Sequence, residues 1–72
     1  RTKVSAFLLE QHKLTGRNRF TIFYNREELA DYLNVSRPSL SREMIKMRDE
    51  KIIDFYKASF QIIDMEALKM NI

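Results

Sequence analysis

NREELADYLNVSRPSLSREM, residues 25–44, carries two apolar helical patterns that meet at a short polar joint. Asn25 is placed to N-cap the first helix, and Glu28, three residues on, closes a capping box. Leu29, Ala30 and Leu33 give that helix a buried stripe, and it ends near Leu33. Asn34 suits a left-handed turn position, because Asn tolerates positive φ better than most residues. Ser36 N-caps the next helix. Pro38 then falls in the first turn, where its missing N–H costs no intrahelical hydrogen bond. The proline therefore starts a helix rather than breaking one. Leu40, Met44 and Met47 follow at helical spacing and carry it over residues 37–49.

Working outward, Val4, Phe7 and Leu8 predict a helix over residues 3–13, widened by Leu9 and ended by Gly16, the only glycine. RFTIFY, residues 19–24, reads as a short strand of β-branched and aromatic residues. After the central stretch comes KIIDFYKASFQIID, residues 51–64. A reversal at Lys57 and Ala58 pairs Phe55 with Phe60 and Ile53 with Ile62, giving a hairpin whose turn lacks Gly or Asn. Asp64 is positioned to cap a last short helical turn, with Leu68 packing back. The order is helix, strand, helix, tight turn, helix, hairpin. That is a mostly α fold with a small β component, three helices plus a β-hairpin wing, or a winged helix-turn-helix.

Size and composition bound the rest. At 72 residues the chain is one domain at most, and 44% apolar residues suffice for a packed core. With no cysteine, disulfides, thiolate metal sites and cysteine catalysis are excluded. No apolar run approaches the ~20 residues that cross a bilayer, and no signal peptide is recognisable. The chain opens on Arg1 rather than Met, inside a helical pattern, so a fragment with a partner domain upstream is expected. Net charge is +3, unevenly spread: +4 over residues 1–24, −1 over 25–50, and a balance over 51–72. A weakly basic total permits nucleic-acid binding without arguing for it.

The argument comes from where the charges sit. With Leu40 at the buried centre of a helical wheel, Met44 and Met47 fall within about 40° of it. Pro38, Ser39, Arg42, Ile45, Lys46 and Asp49 fall on the opposite side. Residues 36–48 hold four cations (Arg37, Arg42, Lys46 and Arg48) against one acid, Glu43. A helix entering the major groove leads with its N-terminus, whose free N–H groups favour phosphate. Small hydroxyls and proline let the backbone approach, and arginines reach guanine edges or phosphates. Plainer roles suit the other residues. Met44 and Met47 are core, Asn34 is a turn residue, and Arg48 lies nearer the buried stripe with a solvated or salt-bridged role. Arg17 and Arg19 form a solvated loop, His12 is a surface helix residue, and Tyr24 and Tyr32 are partial core. Ile45 is an exposed hydrophobe on the proposed DNA face. A thymine methyl and a missing protein domain are equal candidates for its contact.

From Asn25 to Asp64 the chain resembles the C-terminal DNA-binding domain of the Crp/Fnr family of bacterial transcription regulators. NREELADYLNVSRPSLSREM is similar to that family's helix-turn-helix, with Ala30, Asn34 and Leu40 at its small, turn and apolar positions. FTIF resembles the short strand before the motif, and DEKIID the helix end and first wing strand. The resemblance implies that Arg26 contacts phosphate at the start of the first motif helix. It implies that Ser36 and Arg37 open the recognition helix, and that Arg37, Ser39 and Arg42 face the DNA. It also implies an N-terminal sensor domain and a dimerisation helix ahead of Arg1. Pro38 stands where many members carry a base-reading Glu, so their operator preference does not transfer. Lys51 stands where many carry Gly.

The expectation is a sequence-specific, double-stranded DNA-binding output domain with helix 37–49 in the major groove. Arg26, Ser36 and Lys46 hold phosphates, Pro38 lies in the DNA-facing first turn, and Lys57 at the hairpin tip touches the flanking backbone. A cytoplasmic, homodimeric full-length regulator working with RNA polymerase follows from the resemblance, with no cofactor in this fragment and no membrane partner. An enzyme is disfavoured: no nucleophile–base pairing, glycine-rich phosphate loop or metal cluster stands out. The competing class is a winged helix used for protein contact, towards which Ile45 leans.

Overall fold

A computed structural model describes residues 2–71; Arg1 and Ile72, and with them the expected helical pattern at the chain's opening residue, lie outside the described residues. The elements are α1 (Thr2–Thr15), β1 (Arg19–Thr21), α2 (Arg26–Leu33), α3 (Arg37–Asp49), β2 (Ile53–Tyr56), β3 (Ser59–Ile62) and α4 (Met65–Lys69). This is the winged helix-turn-helix anticipated from the sequence, with the short terminal helix as a fourth.

Local chemistry sets each boundary. Asn25 and Glu28 form a reciprocal capping box, Oδ1 accepting from the Glu28 N–H at 2.8 Å and Oε1 from the Asn25 N–H at 2.9 Å. At the end of α2, Asn34 adopts φ 58°, ψ 47°. Its N–H reaches the Asp31 carbonyl at 3.1 Å and the Val35 N–H reaches Ala30 at 2.9 Å, which is the Schellman pattern. α3 ends the same way around Lys51, at φ 61°, with Lys51 N–H on Arg48 at 2.9 Å and Ile52 N–H on Met47 at 3.0 Å. The lysine thus takes the left-handed position that glycine fills at the end of α1, where Gly16 has φ 69°. α1 runs to Thr15, two residues past the predicted Lys13, because the His12 carbonyl still accepts from the Gly16 N–H at 2.8 Å. Asp64 caps α4 through the Ala67 N–H at 3.1 Å.

The wing differs from the sequence expectation in one respect. β2 and β3 pair as predicted, Phe55 with Phe60 and Ile53 with Ile62, around the two-residue turn at Lys57 and Ala58. They are joined by β1, antiparallel to β3, in a three-stranded sheet of order β1-β3-β2. β1 is shorter than the predicted 19–24. The Ile22 N–H still bonds the Ala58 carbonyl at 2.9 Å, after which the chain turns away to reach the Asn25 cap.

Sheet and helices close over one core. Phe7 and Leu8 of α1, Leu29 of α2, Leu40, Met44 and Met47 of α3, Phe60 and Leu68 are all buried. Removing this apolar surface from water is the main stabilising term. Tyr24 stacks on Tyr32 at 5.3 Å between centroids, with Phe7 edge-on to both. Tyr24 is half-buried while Tyr32 remains 55% exposed.

Candidate nucleic-acid interface

The start of α3 is built by its own side chains. Ser36, extended at φ −75°, ψ 151°, caps the helix. Its Oγ accepts from the Ser39 N–H at 3.2 Å and donates to Ser39 Oγ at 2.9 Å. Arg42 Nη2 donates to the same Ser39 oxygen at 3.3 Å. Three predicted residues therefore form one hydrogen-bonded chain along the first two turns. Pro38 begins the helix beside them, exposed, as its fixed φ and missing donor allow.

The outward face of α3 is open. Arg37, Pro38, Arg42, Ile45, Lys46 and Asp49 are exposed and Ser39 is half-buried, whereas Leu40, Met44 and Met47 are sealed. Ser39, Arg42, Glu43 and Lys46 line one shallow groove along this face. Arg48 lies to the side, exposed, with its guanidinium 5.0 Å from the Phe55 ring centroid. The wing thus occupies the flank of α3 and leaves the arginine-bearing face free.

A second groove, of about 520 Å³, collects cations from three elements. Arg26 opens α2, Arg37 opens α3 and Lys57 sits in the wing turn; Tyr24, Asn25, Glu27 and Ala58 complete the lining. Arg26 is half-buried. Its guanidinium lies 5.5 Å from the Phe55 ring and 5.1 Å from the Phe60 ring, and Nη2 donates to the Lys57 carbonyl at 2.6 Å. Burial, and after it the charge of Arg37, hold the Arg26 guanidinium below its ordinary pKa. The group nevertheless stays protonated at any physiological pH. Two guanidiniums that repel one another across an open groove favour an anion between them. Lys57 adopts φ 54°, and its ammonium rests 5.4 Å from the Tyr56 ring.

Every candidate named from the sequence therefore falls into one of two adjoining sets, joined where α3 begins. Arg26, expected to contact phosphate alone, is also engaged internally, on the wing. Tyr24, Asn25 and Glu27 were not singled out for the groove. Their only signal was position, just before and inside the capped start of α2. His12, expected as a plain surface residue, is half-buried and donates through Nδ1 to the Arg17 carbonyl at 2.9 Å. Among the described residues no cluster of three or more His, Cys, Asp or Glu is placed to hold a metal ion. No described helix is long and apolar enough to cross a membrane.

Over residues 2–70 the chain matches the family model described as a Crp-like helix-turn-helix domain. It is also similar to the crystal structure of a protein from Eubacterium rectale assigned to the Crp/Fnr family of transcriptional regulators. The TM-score is 0.83 at 24% identity, covering 97% of this chain and 32% of that one. At that identity the likeness shows a shared fold, and this chain spans about a third (32%) of the other protein's length. No curated protein matches the chain.

Proposed function

The chain belongs to the Crp-like helix-turn-helix domain family, a DNA-binding module of transcription regulation, and from that premise we propose that it reads a specific double-stranded sequence by placing α3 in the major groove. The observation that carries this reading is the open face of α3, with its N-terminal serines and arginines outward and its apolar face sealed. Arg37, Ser39 and Arg42 face base edges, with Pro38 in close approach. Arg26, Ser36, Lys46 and Lys57 hold the phosphates on either side. The groove shared by Arg26, Arg37 and Lys57 offers three cations to a sugar–phosphate backbone crossing from helix to wing.

Residues 1–72 then serve as the output domain of a longer regulator. A sensor domain and a dimerisation helix precede them, and two copies bind a two-fold operator in the cytoplasm, with RNA polymerase as the partner at promoters. One module makes few phosphate contacts, so the isolated chain binds weakly. Random-site selection with the full-length protein tests the reading. A two-fold symmetric consensus is expected, with affinity falling steeply as salt rises. Recovery of unselected sequence would overturn sequence-specific recognition. The second reading, a protein-contact module, rests on Ile45, which is 43% exposed. It requires binding that barely responds to ionic strength.

A further inference from the structure

Of the large apolar residues of α3, Leu40, Met44 and Met47 are buried and Ile45 stands 43% exposed. Ile45 is absent from the partly buried side chains that pack on the core. On the helix it lies in line with Pro38, two turns earlier, and between Arg42 and Asp49, with Lys46 beside it. All four neighbours are exposed, and the wing packs instead on the flank occupied by Arg48. An isolated apolar side chain rimmed by a guanidinium and an ammonium is too small for the core of a protein interface. Its surroundings, the cations Arg42 and Lys46 against the single carboxylate of Asp49, fit a polyanion.

Resting on the DNA-binding reading above, we propose that Ile45 is a specificity-determining residue that reads a thymine through its C5-methyl group. Isoleucine has neither donor nor acceptor. It gains nothing from the nitrogen and oxygen edges that distinguish guanine, adenine and cytosine in the major groove. The apolar group presented there by the ordinary bases is the thymine methyl. Contact would withdraw that methyl and the tip of Ile45 from water together, and one methyl-sized burial corresponds to about four-fold in affinity. Ile45 also disfavours the other bases at this position, because their polar edges would be desolvated without a partner.

The test uses the operator obtained by random-site selection, with each thymine replaced in turn by deoxyuridine, which removes only the methyl. Affinities of the chain for these duplexes are measured by fluorescence anisotropy. The wild-type chain is expected to lose about four-fold at one position of each half-site and to be unchanged at the others. Ile45→Ala is expected to lose a similar factor on the thymine duplex and to show no thymine-to-uracil difference. Ile45→Val is expected to keep most of that difference. The ratio is internal to each protein, so a reduced folded fraction cancels from it. If no thymine replacement matters while a preferred sequence is still bound, the role of Ile45 is overturned and the DNA-binding reading stands. That role is equally overturned if Ile45→Ala loses the same factor on both duplexes. If selection yields no preferred sequence, the reading beneath it falls as well.

Discussion

The Arg26 guanidinium donates to the Lys57 carbonyl at 2.6 Å across 31 residues of sequence. The first residue of α2 thereby holds the wing turn beside the start of α3. Its Cζ lies 5.5 Å from the Phe55 ring centroid and 5.1 Å from that of Phe60; the two rings pair across the hairpin with centroids 5.8 Å apart. The contact holds the backbone of the wing turn, and so keeps Lys57 at the groove that Arg26 shares with Arg37.

Arg26→Ala should lower both stability and DNA affinity. A hydrogen bond from a charged donor together with ring contacts on a half-buried group is worth about 1–2 kcal/mol. For a domain of this size that is a drop of roughly 5–15 °C in Tm. Arg26→Lys separates the roles. It keeps the charge but lacks the planar fork that stacks and reaches together, so it should melt nearly as low as the alanine variant. A lysine variant that melts with wild type would mean that only the charge matters.

What could be read in the sequence was local. The Asn25–Glu28 box, the left-handed Asn34, the Ser36 cap and the helix-starting Pro38 each depend on residues within five positions, and each is found. The hairpin register was legible because period-2 alternation on both strands admits one pairing. The contacts that build the groove were not legible. Arg26 meets the Lys57 carbonyl across 31 residues, and on the sheet Arg19 Nη2 likewise meets Gln61 Oε1 at 3.0 Å across 42. A guanidinium at a helix start reads as solvent- or phosphate-facing until tertiary packing brings two phenyl rings beneath it. The approach of Arg48 to Phe55 was hidden for the same reason, since its helix and that ring become neighbours only through packing of the wing.

Lys51→Gly should stabilise the fold. Lys51 holds φ 61° at the end of α3, a conformation that costs an L-residue about 1–2 kcal/mol. Glycine relieves that strain but has more unfolded-state entropy to lose, so the net gain is about 0.5–1 kcal/mol. Thermal melting checks it through a rise of a few degrees. Lys51→Ala, which keeps the side-chain penalty, should not share the rise.

Arg42→Ala should discriminate between kinds of DNA. Arg42 is exposed on the open face and oriented by its 3.3 Å contact with Ser39 Oγ. If it reads a base edge, its loss should weaken operator binding by roughly ten-fold or more, while random DNA loses only what one charge supplies. Parallel titrations of selected and scrambled duplexes at one salt concentration measure both. Equal losses would demote Arg42 to a phosphate contact.

Lys46→Ala and Lys57→Ala should behave in the opposite way. Both residues are exposed, Lys46 on the outer groove of α3 and Lys57 on the groove at the wing turn. A phosphate contact releases about one counterion. Each substitution should therefore weaken operator and random duplexes alike and reduce the slope of log affinity against log salt by about 1. The double variant should reduce it by about 2, since the two sites lie on different elements and touch different phosphates. A wild-type slope in Lys57→Ala, with Lys46→Ala behaving as expected, would take the wing off the DNA and confine the interface to α3 and the start of α2.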